Sequence, residues 1–276
     1  MRTYVVTGGT DGMGKGLGLH FLGKGDRVIA VASGQARGQR FLDDAARIGA
    51  ADRAAFIRAD LSTVAGMRAI VRQIEADVDR LDGLVFATQR FQPKRVETAD
   101  GLEYTFALSY LSRFVIGHGL LEPLERARRP VIFNLAAPDG IPGEIDWDDL
   151  QLRRGYKGLR ASTQTSRALD LLGADFPQRH PEAKTRYVLY NPMFVKTAMA
   201  EPLPLPLRAL TNGMALLFAQ RVERAIVPMA AIIEDPPRAA LSAFKKGKPL
   251  SVEDKAFDPE NAARLHRITA EILKGR

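Results

Sequence analysis

The chain contains no cysteine. This excludes disulfides, cysteine-ligated zinc and thiol catalysis together. It also lacks any uninterrupted apolar run of about 18 residues, so no membrane span is expected. The opening residues, MRTYVVTGGT, have neither the apolar stretch nor the small-residue cleavage site of a signal peptide. A cytoplasmic location is the resulting expectation. Histidine is scarce: His20, His118, His180 and His266 stand far apart, without metal-ligand spacing, and no metal is expected. A formal charge of +8 raises the question of nucleic-acid binding. The arginines are scattered, however, with isolated pairs such as Arg128-Arg129 and Arg153-Arg154, and no aromatic-interleaved basic stripe. Neither nucleic acid nor membrane is an expected partner; a basic surface equally suits anionic cofactors and small-molecule substrates.

What is present alternates. Apolar runs at 3–7, 27–32, 54–59, 84–88, 131–136, 185–190 and 241–244 read as strands. Helical stretches fall near 12–24, 35–48, 63–79, 103–127, 160–176 and 207–232. Asp258 followed by Pro259 and Glu260 starts a last helix. Alternation of this kind predicts a Rossmann-type, doubly wound parallel sheet of seven strands with helices on both faces. No linker, repeat or low-complexity tract divides residues 1–276, so one domain is expected. The unusual segment is a Pro/Leu-rich run at 201–207, followed by an apolar helical stretch at 214–218. It is either a surface loop packing on its own helix or a lid, about 198–220, over an apolar ligand.

The first strand runs into Thr7-Gly8-Gly9-Thr10-Asp11-Gly12-Met13-Gly14. Gly8, Gly12 and Gly14 permit a tight turn and let backbone N–H groups approach a pyrophosphate, which the positive end of the next helix also attracts. The pattern sits at the first strand–helix junction, where a dinucleotide site requires it. At the end of the second strand, an acidic residue would hold the ribose hydroxyls of NAD. Ser33 and Gly34 stand there instead, with Arg37 and Arg40 close behind. NADPH is therefore the expected cofactor, with NADH as the alternative.

These residues resemble the short-chain dehydrogenase/reductase family over essentially the whole chain. The glycine loop, with Thr10, Asp11 and Met13 between its glycines, is similar to the family's TGxxxGxG motif, and Asp60-Leu61 to the pair that meets the adenine. Asp100-Gly101-Leu102-Glu103 and Trp147-Asp148-Asp149-Leu150-Gln151-Leu152 resemble the retinol-dehydrogenase-like branch. Pro192-Met193-Phe194-Val195-Lys196-Thr197 resembles the PGxxxT stretch that wraps the nicotinamide, with Met193 in place of glycine. By this resemblance Ala87, Thr88, Gln89, Pro192, Phe194, Val195 and Thr197 join the cofactor site. The Asn-Ser-Tyr-Lys tetrad of the family is missing at every position. Ser109 stands for the Asn, Ala137 for the Ser, Ser162 for the Tyr and Ser166 for the Lys. No Tyr-x-x-x-Lys occurs at 150–170.

Loss of a general acid ordinarily costs about 10²–10⁴ in rate, and a serine hydroxyl such as that of Ser162 is a poor substitute for a phenol. Tyr156, Tyr110 and Asn134 are weak alternatives, expected to pack in the insertion loop, in the helix layer and at the strand ends. A ketone hydrogen-bonded to its own neighbouring phenol needs no such acid, only positioning. The combination resembles atypical ketoreductases of angucyclinone (aromatic polyketide) antibiotic biosynthesis, which belong to the same family and lack the same set. That resemblance implies reduction of a polycyclic aromatic ketone with substrate-assisted protonation. The alternatives are a non-redox cyclase or dehydratase and a non-enzymatic NADPH-bound regulator. The long 137–162 stretch precedes the helix that usually forms the dimer interface, so a monomer or weak dimer is expected.

Overall fold

The computed structural model describes residues 1–193 and 222–276. In chain order it contains β1 (Thr3–Thr7), α1 (Gly12–Gly23), β2 (Arg27–Ala32), α2 (Gln35–Arg47), β3 (Ala54–Arg58), α3 (Val64–Asp77) and β4 (Gly83–Phe86). A π-helical turn, Phe106–Leu111, then leads into α4 (Ser112–Gly119), α5 (Leu121–Glu125), β5 (Val131–Leu135), α6 (Gly158–Arg179) and β6 (Arg186–Asn191). After the undescribed segment come α7 (Val222–Glu234), β7 (Leu241–Lys245), β8 (Lys248–Leu250) and α8 (Pro259–Leu273).

The strands form one sheet in the order β3-β2-β1-β4-β5-β6-β7-β8. All seven expected strands are parallel. Their continuous apolar runs follow from burial on both faces, since crossover helices cover each side. Two apolar cores result. Val5, Ile29, Leu84 and Ile132 face a cluster with α3, α4, α6 and α8. Tyr4, Val28, Val85 and Phe133 face one with α1, α2 and α7. The eighth strand pairs antiparallel with β7 through Lys245↔Lys248. Lys246 and Gly247 make its two-residue turn with φ of 50° and 77°, the sign pattern of a type I′ hairpin.

The long helix expected at 103–127 is broken. The π turn interrupts it near Ser109, and it stops at Gly119 before resuming as the short α5. The last helix starts as expected: the Asp258 carboxylate accepts from the Asn261 N–H at 2.7 Å, with Pro259 at the first helical position. Among the described residues no helix is long and apolar enough to cross a membrane.

Candidate active site

The strand order reverses between β1 and β4, and ligands of open parallel sheets bind at such a point, outside the carboxyl ends of the strands. A cavity of about 1170 Å³ lies there. The glycine loop forms one wall. Gly8 has φ of 70°, and a Cβ on it would lie 2.8 Å from the Ala87 carbonyl carbon and the Thr88 nitrogen. A Cβ on Gly14 would lie 2.5 Å from the Gly8 oxygen. The loop is thus nested against the turn after β4 with no room for side chains. Gly12, with φ of 51°, opens α1, and the Asp11 carboxylate accepts from its N–H at 2.7 Å. The start of α1 offers its remaining free N–H groups to an anion.

The cavity is lined by Gly8, Thr10, Asp11, Gly12, Met13, Gly14, Ser33, Arg37, Asp60, Leu61, Ala87, Thr88, Gln89 and Pro192, all expected cofactor contacts. Gly34 is not part of the lining; it precedes α2 as the cap residue, and a Cβ on it would come within 3.2 Å of the Arg37 guanidinium. Its role is to leave space for Arg37. Arg40 is exposed on α2, away from the lining. Arg58, at the end of β3, donates to the Ser33 carbonyl at 3.2 Å, so two arginines flank Ser33. Asp60 is tied into its own turn, where Oδ1 accepts from the Ser62 N–H at 2.9 Å and hydroxyl at 2.7 Å. Phe194, Val195, Thr197 and the expected lid lie outside the described residues.

The opposite end of the cavity is where carbonyl chemistry would occur. Of the four tetrad positions, only Ala137 lines it among the described residues. Ser109 is buried in the π turn, its hydroxyl without a hydrogen-bond partner among the described residues. Ser166 approaches the Ala137 carbonyl, Oγ to O 3.5 Å, so these two positions are neighbours in space. Ser162 is half-buried one turn earlier on α6 and absent from the lining. The other weak candidates also fall elsewhere. Tyr156 donates to the Gln92 carbonyl at 3.0 Å. Tyr110 meets the Thr269 hydroxyl at 2.8 Å in the core, and burial pushes its phenol pKa upward.

Sequence reading missed several groups at this end. Tyr104 is the one tyrosine among the described lining residues, with Leu108 beside it one turn on. The Lys245 ammonium donates to both the carboxylate and the carbonyl of Asp139, each at 2.8 Å. The pair is 106 residues apart in sequence. Lys245 ends β7, and the ends of parallel strands are the signal that would have found it. Among the described residues four non-glycine residues have positive φ, and two of them, Asp139 at 52° and Met193 at 59°, line the cavity. Backbone strain of this kind gathers at functional sites. At Met193, which by resemblance stands for the glycine of the PGxxxT pattern, the backbone is in the left-handed region that glycine adopts without strain. The Asn191 carboxamide oxygen holds that turn by accepting the Met193 N–H at 2.8 Å.

Arg113 lies under the floor. Its guanidinium donates to the Thr88 carbonyl at 2.9 Å, the Leu135 carbonyl at 2.9 Å and the Asn134 side-chain oxygen, and so ties the ends of β4 and β5 together. Asn134 in turn donates to the Tyr187 hydroxyl at 3.1 Å, which fulfils its expected strand-end role. Burial pushes the Arg113 pKa down to about 10, which leaves a cation at neutral pH with no carboxylate against it among the described residues.

Away from the cleft, the expectation of dispersed histidines fails in space. His118 on α4, His180 just beyond α6 and His266 on α8 converge, because α8 packs across α4 and α6. Burial, reinforced by the neighbouring imidazoles, pushes His118 down to about 3, so it is neutral.

The short chain dehydrogenase family model matches residues 2–146. An uncharacterized oxidoreductase of Saccharomyces cerevisiae is 30% identical over 202 residues, which are 70% of this chain and 60% of that one. A Streptomyces protein to which daunorubicin C-13 ketoreductase activity is ascribed is 28% identical over 198 residues, 71% of this chain and 67% of that one. Human polyprenol dehydrogenase and mouse retinol dehydrogenase 13, each 26% identical, also match, and the alignments span only about half of their length, 53% and 54%. Among solved structures, NADPH-bound carbonyl reductase from chicken fatty liver has the same fold, with a TM-score of 0.67 at 17% identity over 91% of this chain and 99% of that one.

Proposed function

The chain belongs to the short-chain dehydrogenase family, and from that premise we propose that it is an NADPH-dependent ketoreductase of a polycyclic aromatic polyketide ketone, protonated by the substrate's own neighbouring phenol. One observation carries the reading: the glycine loop has the close-packed, positive-φ backbone of a dinucleotide cradle, while no residue read at a tetrad position is an acid.

The residues fit the cofactor. Gly8, Gly12 and Gly14 leave a cradle that any Cβ would fill or strain, and the start of α1 faces it. Arg37 and Arg58 beside Ser33 suit a 2′-phosphate, where an acidic residue would repel it. Bound there, the reduced nicotinamide supplies a hydride. The chain's part is to hold a large flat ketone against that end of the cleft and to exclude water. The cavity of about 1170 Å³, with Leu108, Leu135, Ile141, Pro142 and Met193 in its walls, is roomy and apolar enough for several fused rings. The buried cation of Arg113 beneath the ends of β4 and β5 favours negative charge in the space above it. The Streptomyces relative favours an aromatic polyketide as substrate class. We also read the chain as a single domain and a monomer or weak dimer, since α8 packs on α6, the helix of the usual dimer contact.

Tyr104 is the rival proton donor. Single-turnover reduction with 4-deuterated NADPH separates the two. A polycyclic ketone with a free neighbouring phenol is expected to gain deuterium in wild type and in Tyr104→Phe alike, and its methyl ether in neither. Rapid reduction of the ether by wild type and its loss in Tyr104→Phe would assign the acid to Tyr104. Turnover without NADPH consumption would point to a cyclase or dehydratase. NADPH binding without turnover of any such ketone would leave a regulatory protein.

A further inference from the structure

We propose that His118, Asp175 and His266 form a zinc site that staples the C-terminal helix α8 to α4 and α6. The site is independent of the cleft: His118 stands nine residues beyond Ser109, roughly 14 Å along the helix axis.

The three side chains each offer a ligand atom, and these atoms lie within 4.8 Å of one another. Zinc bonded at about 2.0–2.2 Å in tetrahedral geometry brings its ligand atoms to about 3.3–3.5 Å apart. Side-chain rotations of roughly an ångström close that gap. The donor set, two imidazoles and one carboxylate, is that of a borderline-soft divalent ion; calcium and magnesium take oxygen ligands instead. Three protein ligands leave a fourth position for water.

Three further features suit an ion. His118 Nε2 is buried and has no hydrogen-bond partner among the described residues, and a buried polar group without a partner calls for an explanation. The other nitrogen, Nδ1, is 2.9 Å from His180 Nε2. A proton on Nδ1 donated to His180 would leave Nε2 with a lone pair and fix the ring, as the outer partners of metal-bound histidines do. Asp175 is buried and is held from its other oxygen by Arg179, Oδ1 to Nε 3.2 Å, while Oδ2 lies 2.6 Å from His266 Nδ1. Phe114 and Phe176 pack on the imidazoles, with ring centroids 4.7 to 5.6 Å apart, and form an apolar shell. In the absence of an ion, the cluster would be a hydrogen-bonded aromatic–histidine core that leaves one nitrogen unsatisfied.

The test uses the full chain without a polyhistidine tag, dialysed against chelator and titrated with Zn²⁺ by calorimetry and with Co²⁺ by visible absorption. Wild type is expected to bind one ion per chain, to show the intense d–d bands of four-coordinate cobalt, and to melt several degrees higher with zinc. His266→Gln should weaken binding about a hundredfold or more, and His180→Ala, an outer partner, about tenfold. His20→Ala controls for the remaining histidine, which pairs with Glu234 on the surface, and should change nothing. If His266→Gln fails to fold, Asp175→Asn reads the same loss. The proposal is overturned if wild type takes up no ion, if six-coordinate cobalt spectra appear, or if binding survives in His266→Gln and Asp175→Asn. Loss of binding in His20→Ala would overturn it as well.

Discussion

The two ends of the cleft are built on different principles. At the phosphate end, function rests on backbone. Gly8 and Gly14 are required because neighbouring main chain occupies the space a side chain would need, at 2.8 Å and 2.5 Å. At the ketone end, function would rest on side chains, and by the family resemblance Ser109, Ala137, Ser162 and Ser166 stand there in place of the acid and its partners. A π turn interrupts the helix at Ser109, Ser166 lies against Ala137, and Met193 adopts a left-handed turn. Backbone-encoded binding is hard to alter without losing the fold. Side-chain-encoded chemistry can be stripped out with the fold intact.

The comparison breaks first at Gly8. Gly8→Ala puts a methyl group into the Ala87–Thr88 main chain and forces a positive φ on alanine. We expect NADPH affinity, read by fluorescence titration, to fall about a hundredfold, with about 2–4 kcal/mol lost in chemical denaturation. Near-wild-type affinity in this variant would show that the glycine loop does not carry the cofactor. Arg113→Met is the next largest. It removes three hydrogen bonds that join β4 to β5 and strands their buried acceptors. A loss of about 2–3 kcal/mol is expected, together with a lower kcat if its charge also acts on the cavity above. Unchanged kcat in a folded variant would restrict Arg113 to architecture.

The same division governs what the sequence reveals. The seven parallel strands are legible because burial on both faces makes each an apolar run, and the glycine loop because its constraint is local. β8 is hidden: it is three residues long, contains Pro249, and its turn places Lys246 at positive φ where glycine or asparagine is the usual signal. The π turn leaves no mark in hydrophobic spacing. Tyr104, the Asp139–Lys245 pair and the histidine cluster are invisible for another reason. Their members come from different elements, and His118 and His180 alone are separated by 62 residues. The packing of α4 against the end of α6 makes neighbours of these two, and α8 adds His266. The placing of Ser109, Ala137, Ser162 and Ser166 at the tetrad positions rests on motif register and needs no tertiary information. The proton donor that would take the tetrad's place leaves no such local mark.

On the proposed reading cofactor choice lies between the two regimes, because backbone would hold the phosphates while Arg37 and Arg58 would select the 2′ position. Arg37→Asp places a carboxylate where the guanidinium now lies over Gly34. Repulsion should weaken NADPH about tenfold to a hundredfold, with NADH affected far less. The ratio of the two kcat/KM values measures the change. Equal losses for both cofactors would mean that Arg37 merely supports α2.

The smallest expected effect is the most informative about the ketone end. By the family resemblance Ser162 stands at the position of the acid, yet it is half-buried on α6 and contributes nothing to the cavity lining. A required proton donor, when deleted, costs about 10²–10⁴ in rate. Ser162→Ala should therefore leave kcat for a phenol-bearing ketone within about threefold of wild type, well short of that range. The pH profile should follow the substrate phenol and be unmoved by the substitution. A fall of a hundredfold, rescued by Ser162→Thr, would place a hydroxyl in the proton path and return the ketone end to side-chain chemistry. A change within threefold leaves positioning as the protein's contribution. The asymmetry between the two ends then has a chemical reason: a substrate that carries its own acid removes selection on the tetrad, while nothing removes it from the loop that holds the cofactor.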